Sequence, residues 1–253
     1  MAYGLLIDIT QCVGCGACQS ACQTSHGFPE VEAKKLNDKN FTYLDQKGEM
    51  FVRRMCQHCE EPACASVCPV GALYKSKDGP VNYDADKCLG CRYCMLACPY
   101  DIPKYEWHSN MPRVRKCTMC YDERTSKGQP TACSESCPTG ATLFGTREEL
   151  LTEARKRISE NPDLYVNRIY GVKEAGGASV LYLSSVPFEK LGFSTKIGDE
   201  SLPDKTWNVL SKLPDVVATA GVMFGAIYWI TNRREEVKKA ALAEMQHDQI
   251  TKH

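Results

Sequence analysis

The hydrophobic pattern divides the chain into three stretches. The longest uncharged apolar run is Val216 to Ile230, fifteen residues. At the α-helical rise it spans about 22 Å, short of a hydrocarbon core of about 30 Å. Aromatic Tyr228-Trp229 at one end suits a membrane interface, and flanking Lys212 and Arg233 could reach headgroups. Gly221 and Gly225 form a GxxxG face for helix packing. A spanning helix over 211–232 is expected, with a buried core helix as the competing reading. Over residues 141–210 the pattern reads as ordinary α+β sequence. Thr146-Arg147-Glu148-Glu149 fits a capping box. Leu150, Leu151, Ala154 and Ile158 follow at helical spacing, and Asn161-Pro162 ends the helix. Ser179 to Leu183 reads as a short strand, and this stretch is expected to be a structural extension.

Composition adds little until cysteine is reached. The 253 residues carry 31 basic and 31 acidic side chains, a balance that argues against binding nucleic acid through bulk charge. No nucleophile or acid–base constellation stands out. Gly14-Cys15-Gly16 lacks the strand-turn-helix setting of a nucleotide site. Cysteine, at 16 residues, demands a covalent or metal explanation.

Every cysteine lies within residues 1–140, in four groups of four: Cys12, Cys15, Cys18, Cys22; Cys56, Cys59, Cys64, Cys68; Cys88, Cys91, Cys94, Cys98; and Cys117, Cys120, Cys133, Cys137. Groups one and three have the spacing C-x2-C-x2-C-x3-C, whereas groups two and four widen the middle gap. Two intervening residues let a tight loop aim three sulfurs at one cubane. The fourth cysteine is expected to start a helix leading away, and in two-cluster ferredoxins it ligates the other cluster. Pro69, Pro99 and Pro138 complete that signature, and group one departs from it with Gln23. Structural zinc also uses CxxC pairs but does not call for four-cysteine runs closed by Cys-Pro. A disulfide framework suits small secreted domains and fits less well still.

The crossing rule gives four [4Fe–4S] clusters. Cluster A takes Cys12, Cys15, Cys18 and Cys137; cluster B takes Cys22, Cys117, Cys120 and Cys133. Cluster C takes Cys56, Cys59, Cys64 and Cys98; cluster D takes Cys68, Cys88, Cys91 and Cys94. The alternative, each group closing on its own cluster, runs against the ferredoxin precedent. His26 and His58 lie near the loops, but four thiolates per cluster leave no place for them. Arg53, Arg54, Arg113, Arg115 and Lys116 are expected on the solvated surface, with raised cluster potentials as the other reading. Trp107 and Trp207 read as core or interface anchors rather than relays.

The residues then carry a resemblance. Cys12-Val13-Gly14-Cys15, Cys56-Gln57-His58-Cys59 and Cys88-Leu89-Gly90-Cys91-Arg92-Tyr93-Cys94 resemble the four-cluster iron–sulfur (beta) subunits of membrane-bound molybdenum or tungsten oxidoreductases. Cys98-Pro99-Tyr100, Ile102-Pro103-Lys104, Cys137-Pro138-Thr139-Gly140-Ala141, Phe144-Gly145-Thr146, Tyr170-Gly171-Val172 and Gly176-Gly177 extend it over nearly the whole chain. Respiratory formate dehydrogenase beta subunits resemble it most, and uptake-hydrogenase iron–sulfur subunits nearly as much. In related nitrate reductases one ligand is replaced and a three-iron cluster results; no ligand is missing here, so four cubanes are expected.

The resemblance implies a non-catalytic wire of anaerobic respiration. It would run from a molybdopterin, tungstopterin or nickel–iron catalytic subunit to a membrane cytochrome b or quinone-reactive subunit. The expected fold is α+β, with two pseudo-symmetric ferredoxin-like dicluster domains and one C-terminal transmembrane helix. Residues 1–50 with 105–145 would form one dicluster unit and 51–104 the other. Residues 146–210 would be the extension and 233–253 a cytoplasmic tail. Met1 to Ile7 lacks a basic segment before its apolar run, and Asp8 cuts that run short, so no export signal is expected. Arg233, Arg234, Lys238 and Lys239 follow the span, whereas Lys212 alone precedes it within 206–215. This places the tail inside and the clusters on the periplasmic side of the inner membrane, exported with a twin-arginine partner. A soluble ferredoxin-like carrier and a zinc-stabilised interaction module are the rival readings.

Overall fold

Strand β1 (Tyr3–Asp8) begins the first layer, because Leu5, Leu6 and Ile7 all face protein rather than water. The structure, a computed structural model, describes residues 2–250, with side chains to 243. A 3-10 turn at Ile9–Gln11, capped by the Asp8 carboxylate, delivers the chain to Cys12. Next come α1 (Ala17–Ser25) and the hairpin β2 (Thr42–Lys47) and β3 (Met50–Met55). Then come α2 (Ala63–Ser66), the hairpin β4 (Leu73–Lys75) and β5 (Val81–Tyr83), and α3 (Tyr93–Ala97). A two-residue ladder joins β6 (Lys104–Tyr105) to β7 (Val114–Arg115). The last helix of the cysteine-bearing stretch is α4 (Ala132–Glu135), and Cys137 follows it.

Helix α1 packs against α4, and α2 against α3. The four short helices therefore form two pairs, joining the first cysteine group to the fourth and the second to the third. The architecture is α+β, with small antiparallel sheets repeated around these pairs.

The cysteine-free stretch is built into the first sheet. Strand β8 (Thr142–Thr146) runs antiparallel to β1. Helix α5 (Arg147–Glu160) starts on the expected capping box, in which Thr146 and Glu149 satisfy each other's backbone donors. It buries Leu150 and Ala154 against the sheet. Strand β9 (Val180–Leu183) pairs parallel with β1 on its other edge, giving the order β8-β1-β9. Gly4 permits this, because a Cβ there would lie 2.2 Å from the Ser179 carbonyl oxygen.

The chain divides into two units between Asp204 and Lys205. That division falls within α6 (Leu202–Leu210), and α7 (Leu213–Ile250) follows it. Residues 202–243 hold a helical stretch long and apolar enough to cross a membrane, and its most apolar window is wholly exposed. This is consistent with one membrane-spanning segment. The helix does not stop at 232, because Arg233 to Ala243 contains no Gly or Pro to end it. The expected tail is helical through Ile250, and 251–253 lie outside the described residues.

Candidate iron–sulfur centres

All four cysteine loops share one backbone device. The residue before the second cysteine has positive φ in each: Gly14 at 72°, His58 at 49°, Gly90 at 72° and Met119 at 60°. Two of the four are not glycine, so the loop geometry imposes this conformation against ordinary preference. It turns backbone N–H groups toward the first sulfur of the loop. Met119 N donates to Cys117 Sγ at 3.3 Å. The N–H of Gly14 does the same at Cys12, and that of Gly90 at Cys88.

The third cysteine of every group is the second residue of its helix: Cys18 in α1, Cys64 in α2, Cys94 in α3 and Cys133 in α4. This corrects the expectation that the fourth cysteine starts the helix. Cys68, Cys98 and Cys137 instead follow the ends of their helices, because a residue before proline is pushed out of the α region. Cys98 accordingly sits at φ −75°, ψ 115°. In group one, Gln23 stands where the others have proline, and α1 runs on through Cys22 to Ser25.

The helix pairing brings sulfurs of different groups together. Cys12, Cys15, Cys18 and Cys137 line one small cavity with Arg53, Thr139 and Thr142. Burial first, then the nearby Cys133 and Cys120 thiols, push Cys22 up to about 12. Cys117 is raised by burial and by Cys22, Cys56, Cys120 and Cys133. Burial, with Cys56, Cys98 and Cys64 as neighbours, raises Cys59. Burial, then Cys88, Cys91 and Cys68, push Cys94 up to about 11. Two thiols go the other way. At Cys88 the Tyr83 hydroxyl and the N–H groups of Gly90 and Val114 outweigh the effect of burial. At Cys137 the backbone of Thr142, Thr139 and Ala141 and the Thr139 hydroxyl do so. Thr131 Oγ1 lies 3.2 Å from Cys133 Sγ.

This donor set fits an anionic multi-iron cage. All sixteen cysteines are free, and among the described residues no group of three or more His, Cys, Asp or Glu side chains is drawn together around a point suited to one metal ion. The surroundings also supply unmatched positive charge. Arg53 and Lys116 are 2% and 3% exposed. Arg53 donates to Thr42 and Thr142, and Lys116 to the carbonyls of Val81 and Cys117. Neither meets a carboxylate among the described residues, so an anion must offset them.

Sequence reasoning placed both residues on the surface, and the structure corrects this. The pattern carried a signal: Arg53 and Arg54 are neighbours on a strand, so they point to opposite faces. Arg54, Arg113 and Arg115 are half-buried and each pairs with a carboxylate: Arg54 with Asp45, Arg113 with Asp86 and Arg115 with Glu106. His26 Nδ1 donates to the Cys22 carbonyl at 2.9 Å, and the ring stacks with Phe28 and meets Phe41 edge-on. His58 is fully buried and its Nδ1 accepts from Val81 N at 2.9 Å. Trp107 and Trp207 are exposed rather than core residues.

Comparison with known proteins agrees with this geometry. Residues 48–147 match the 4Fe–4S dicluster domain family. That span contains cysteine groups two, three and four. A protein of Nitratidesulfovibrio vulgaris is 37% identical over 263 residues, covering 96% of this chain and 70% of its own length. The hydrogenase-2 operon protein HybA of Escherichia coli O157:H7 is 38% identical over 255 residues, covering 82% of this chain and 77% of its own. The formate dehydrogenase-O iron–sulfur subunit of Escherichia coli K12 is 37% identical over 198 residues, covering 70% and 65%. The expected preference for the formate dehydrogenase subunits over hydrogenase ones is not found, since both kinds match comparably.

Proposed function

Because the chain belongs to the family of 4Fe–4S dicluster iron–sulfur subunits that includes those of respiratory formate dehydrogenases and the hydrogenase protein HybA, we propose that it relays electrons through four [4Fe–4S] clusters. It would take them from a catalytic subunit and pass them to a membrane subunit. The chain itself is a non-catalytic electron carrier. The observation that carries the reading is the pairing of α1 with α4 and α2 with α3, which supports thiol sets crossing between groups.

Cys12, Cys15, Cys18 and Cys137 would hold cluster A, and Cys22, Cys117, Cys120 and Cys133 cluster B. Cys56, Cys59, Cys64 and Cys98 would hold cluster C, and Cys68, Cys88, Cys91 and Cys94 cluster D. The bound clusters supply reversible one-electron storage at closely spaced points. The protein's own groups do the rest. The N–H groups of Gly14, Gly90 and Met119 and the hydroxyl of Thr131 stabilise thiolate charge at the ligand sulfurs. Leu73, Val114 and the Tyr83 ring exclude water around Cys94.

The helix after Leu213 anchors the chain in the inner membrane in this reading. The basic residues after it favour a cytoplasmic C-terminus and clusters on the periplasmic side, reached by export with a twin-arginine partner. The catalytic partner is a molybdopterin or tungstopterin enzyme of formate dehydrogenase type. A nickel–iron hydrogenase is the second reading, favoured by the similarity to HybA over 255 residues. The membrane partner is a cytochrome b or quinone-reactive subunit. Anaerobic purification tests the core of the reading. About sixteen irons with matching acid-labile sulfide are expected from four cubanes, and their absence from freshly prepared protein rejects it. Reduction by formate or by hydrogen in membranes separates the two partner readings. Release of the chain by a salt wash would favour a soluble carrier, and protease protection of the cluster unit in spheroplasts would reverse the topology.

A further inference from the structure

Two consecutive pairs of basic residues are built alike. In Arg53-Arg54, Arg54 Nη2 lies 3.0 Å from Asp45 Oδ2, while Arg53 is buried without a carboxylate. In Arg115-Lys116, Arg115 pairs with Glu106, while Lys116 is buried without one. The outward member of each pair is neutralised and the inward member is not. The third cation of this region, Lys75, has Glu60 at 3.4 Å. Arg53 and Lys116 thus stand out as positive charges the described chain does not offset.

Their positions are specific. Arg53 Nε donates to Thr42 Oγ1 at 3.0 Å and Nη1 to Thr142 Oγ1 at 3.2 Å. It lines the cavity of Cys12, Cys15, Cys18 and Cys137, and Cys133 and Cys18 are the thiols that act on its charge. It therefore sits between the thiol sets assigned to clusters A and B. Lys116 Nζ donates to the Cys117 carbonyl at 2.8 Å and to the Val81 carbonyl, and its charge acts on Cys64. It lies where the set of cluster B meets that of cluster C.

A buried cation without a counter-ion costs several kcal/mol, so its retention calls for an anion in the finished protein. The four thiolates and their cluster form a dianion when oxidised and a trianion after taking one electron, with no proton required. A fixed positive charge beside the cage favours the trianion and raises the reduction potential. Accordingly, we propose that Arg53 and Lys116 are the fixed counter-charges of the electron wire. Arg53 raises the potentials of clusters A and B, and Lys116 that of cluster C, while cluster D has neither. This rests on the four-cluster reading above and adds which residues grade the potentials along it.

The test is an EPR-monitored redox titration of the full chain, with dithionite as the electron donor. Signals are assigned by the resonance each of Cys15→Ser, Cys120→Ser, Cys59→Ser and Cys91→Ser removes. Arg53→Gln keeps a donor for Thr42 without the charge. It should lower the equilibrium constant for reducing clusters A and B at least tenfold, about 59 mV per electron, and leave D unmoved. Arg53→Lys should restore most of that shift. Lys116→Met should lower cluster C in the same way. If Arg53→Gln loses the iron of A and B while Arg53→Lys keeps it, the same charge dependence is read as cluster retention. Unchanged potentials in a fully loaded Arg53→Gln protein, or an equal shift of all four clusters, would overturn the proposal. Wild-type protein lacking iron and sulfide would instead sink the four-cluster reading.

Discussion

Arg157 Nη1 lies 2.9 Å from Asp8 Oδ2, joining the last turn of α5 to the end of β1, four residues before the first cysteine, Cys12. The Asp8 side chain is 1% exposed. Its carboxylate also accepts from the Tyr165 hydroxyl at 2.8 Å and the Thr10 hydroxyl at 2.6 Å, and it caps the turn that leads to Cys12. The cysteine-free stretch thereby clamps the start of the first cysteine loop.

Arg157→Ala leaves that buried carboxylate without its cation, which should cost about 3 kcal/mol. Thermal unfolding of the anaerobic protein should shift down accordingly, and iron of cluster A should be lost before that of the other three. Arg157→Lys should recover part of the loss. An unchanged unfolding midpoint would show that Tyr165 and Thr10 suffice.

Crossed ligation makes a pairwise prediction. Cys68→Ser should weaken the same cluster as Cys91→Ser, although these residues belong to different sequence groups. Cys98→Ser should likewise act with Cys59→Ser. Each variant should retain about twelve irons, from three intact cubanes. If Cys68→Ser and Cys59→Ser erase the same paramagnetic signal, each group closes on its own cluster.

Gly14 combines a φ of 72° with a Cβ position that would lie 2.6 Å from Phe51 ring atoms. Gly14→Ala should therefore meet both backbone strain and overpacking, about 2 kcal/mol together. The iron count should fall by one cluster in this variant. Gly16 also has positive φ but has open space at its Cβ position. Gly16→Ala should be milder, and equal effects would mean that the Phe51 contact is unimportant.

The exposed apolar surface of α7 predicts tight membrane association. Val222 is 76% and Phe224 64% exposed, a cost in water that a lipid or helix partner would remove. The double variant Val222→Asp and Phe224→Asp adds about 5 kcal/mol to insertion. It should move the chain from the carbonate-resistant membrane pellet to the soluble fraction. Persistence in the pellet would point to anchoring by a partner subunit instead.

Much of the chemistry is legible in the sequence, because it depends on short-range spacing. Four repeats of cysteines two residues apart dictate loops that expose sulfur, and the same left-handed turn indeed recurs at Gly14, His58, Gly90 and Met119. The capping box at Thr146 and the apolar run from Val216 were local signals of the same kind. Other features could not be read this way. The place of the fourth cysteine after its helix turned on whether proline followed. That β9 joins β1 in parallel, and that Arg53 and Lys116 face inward while Arg54 and Arg115 face carboxylates, depends on segments far apart in the chain. A residue's own neighbours set its backbone preference, whereas burial and charge pairing are set by whichever elements fold against it. Two adjacent basic residues therefore announce two cations, and only the packed sheet and helices select the one without a partner.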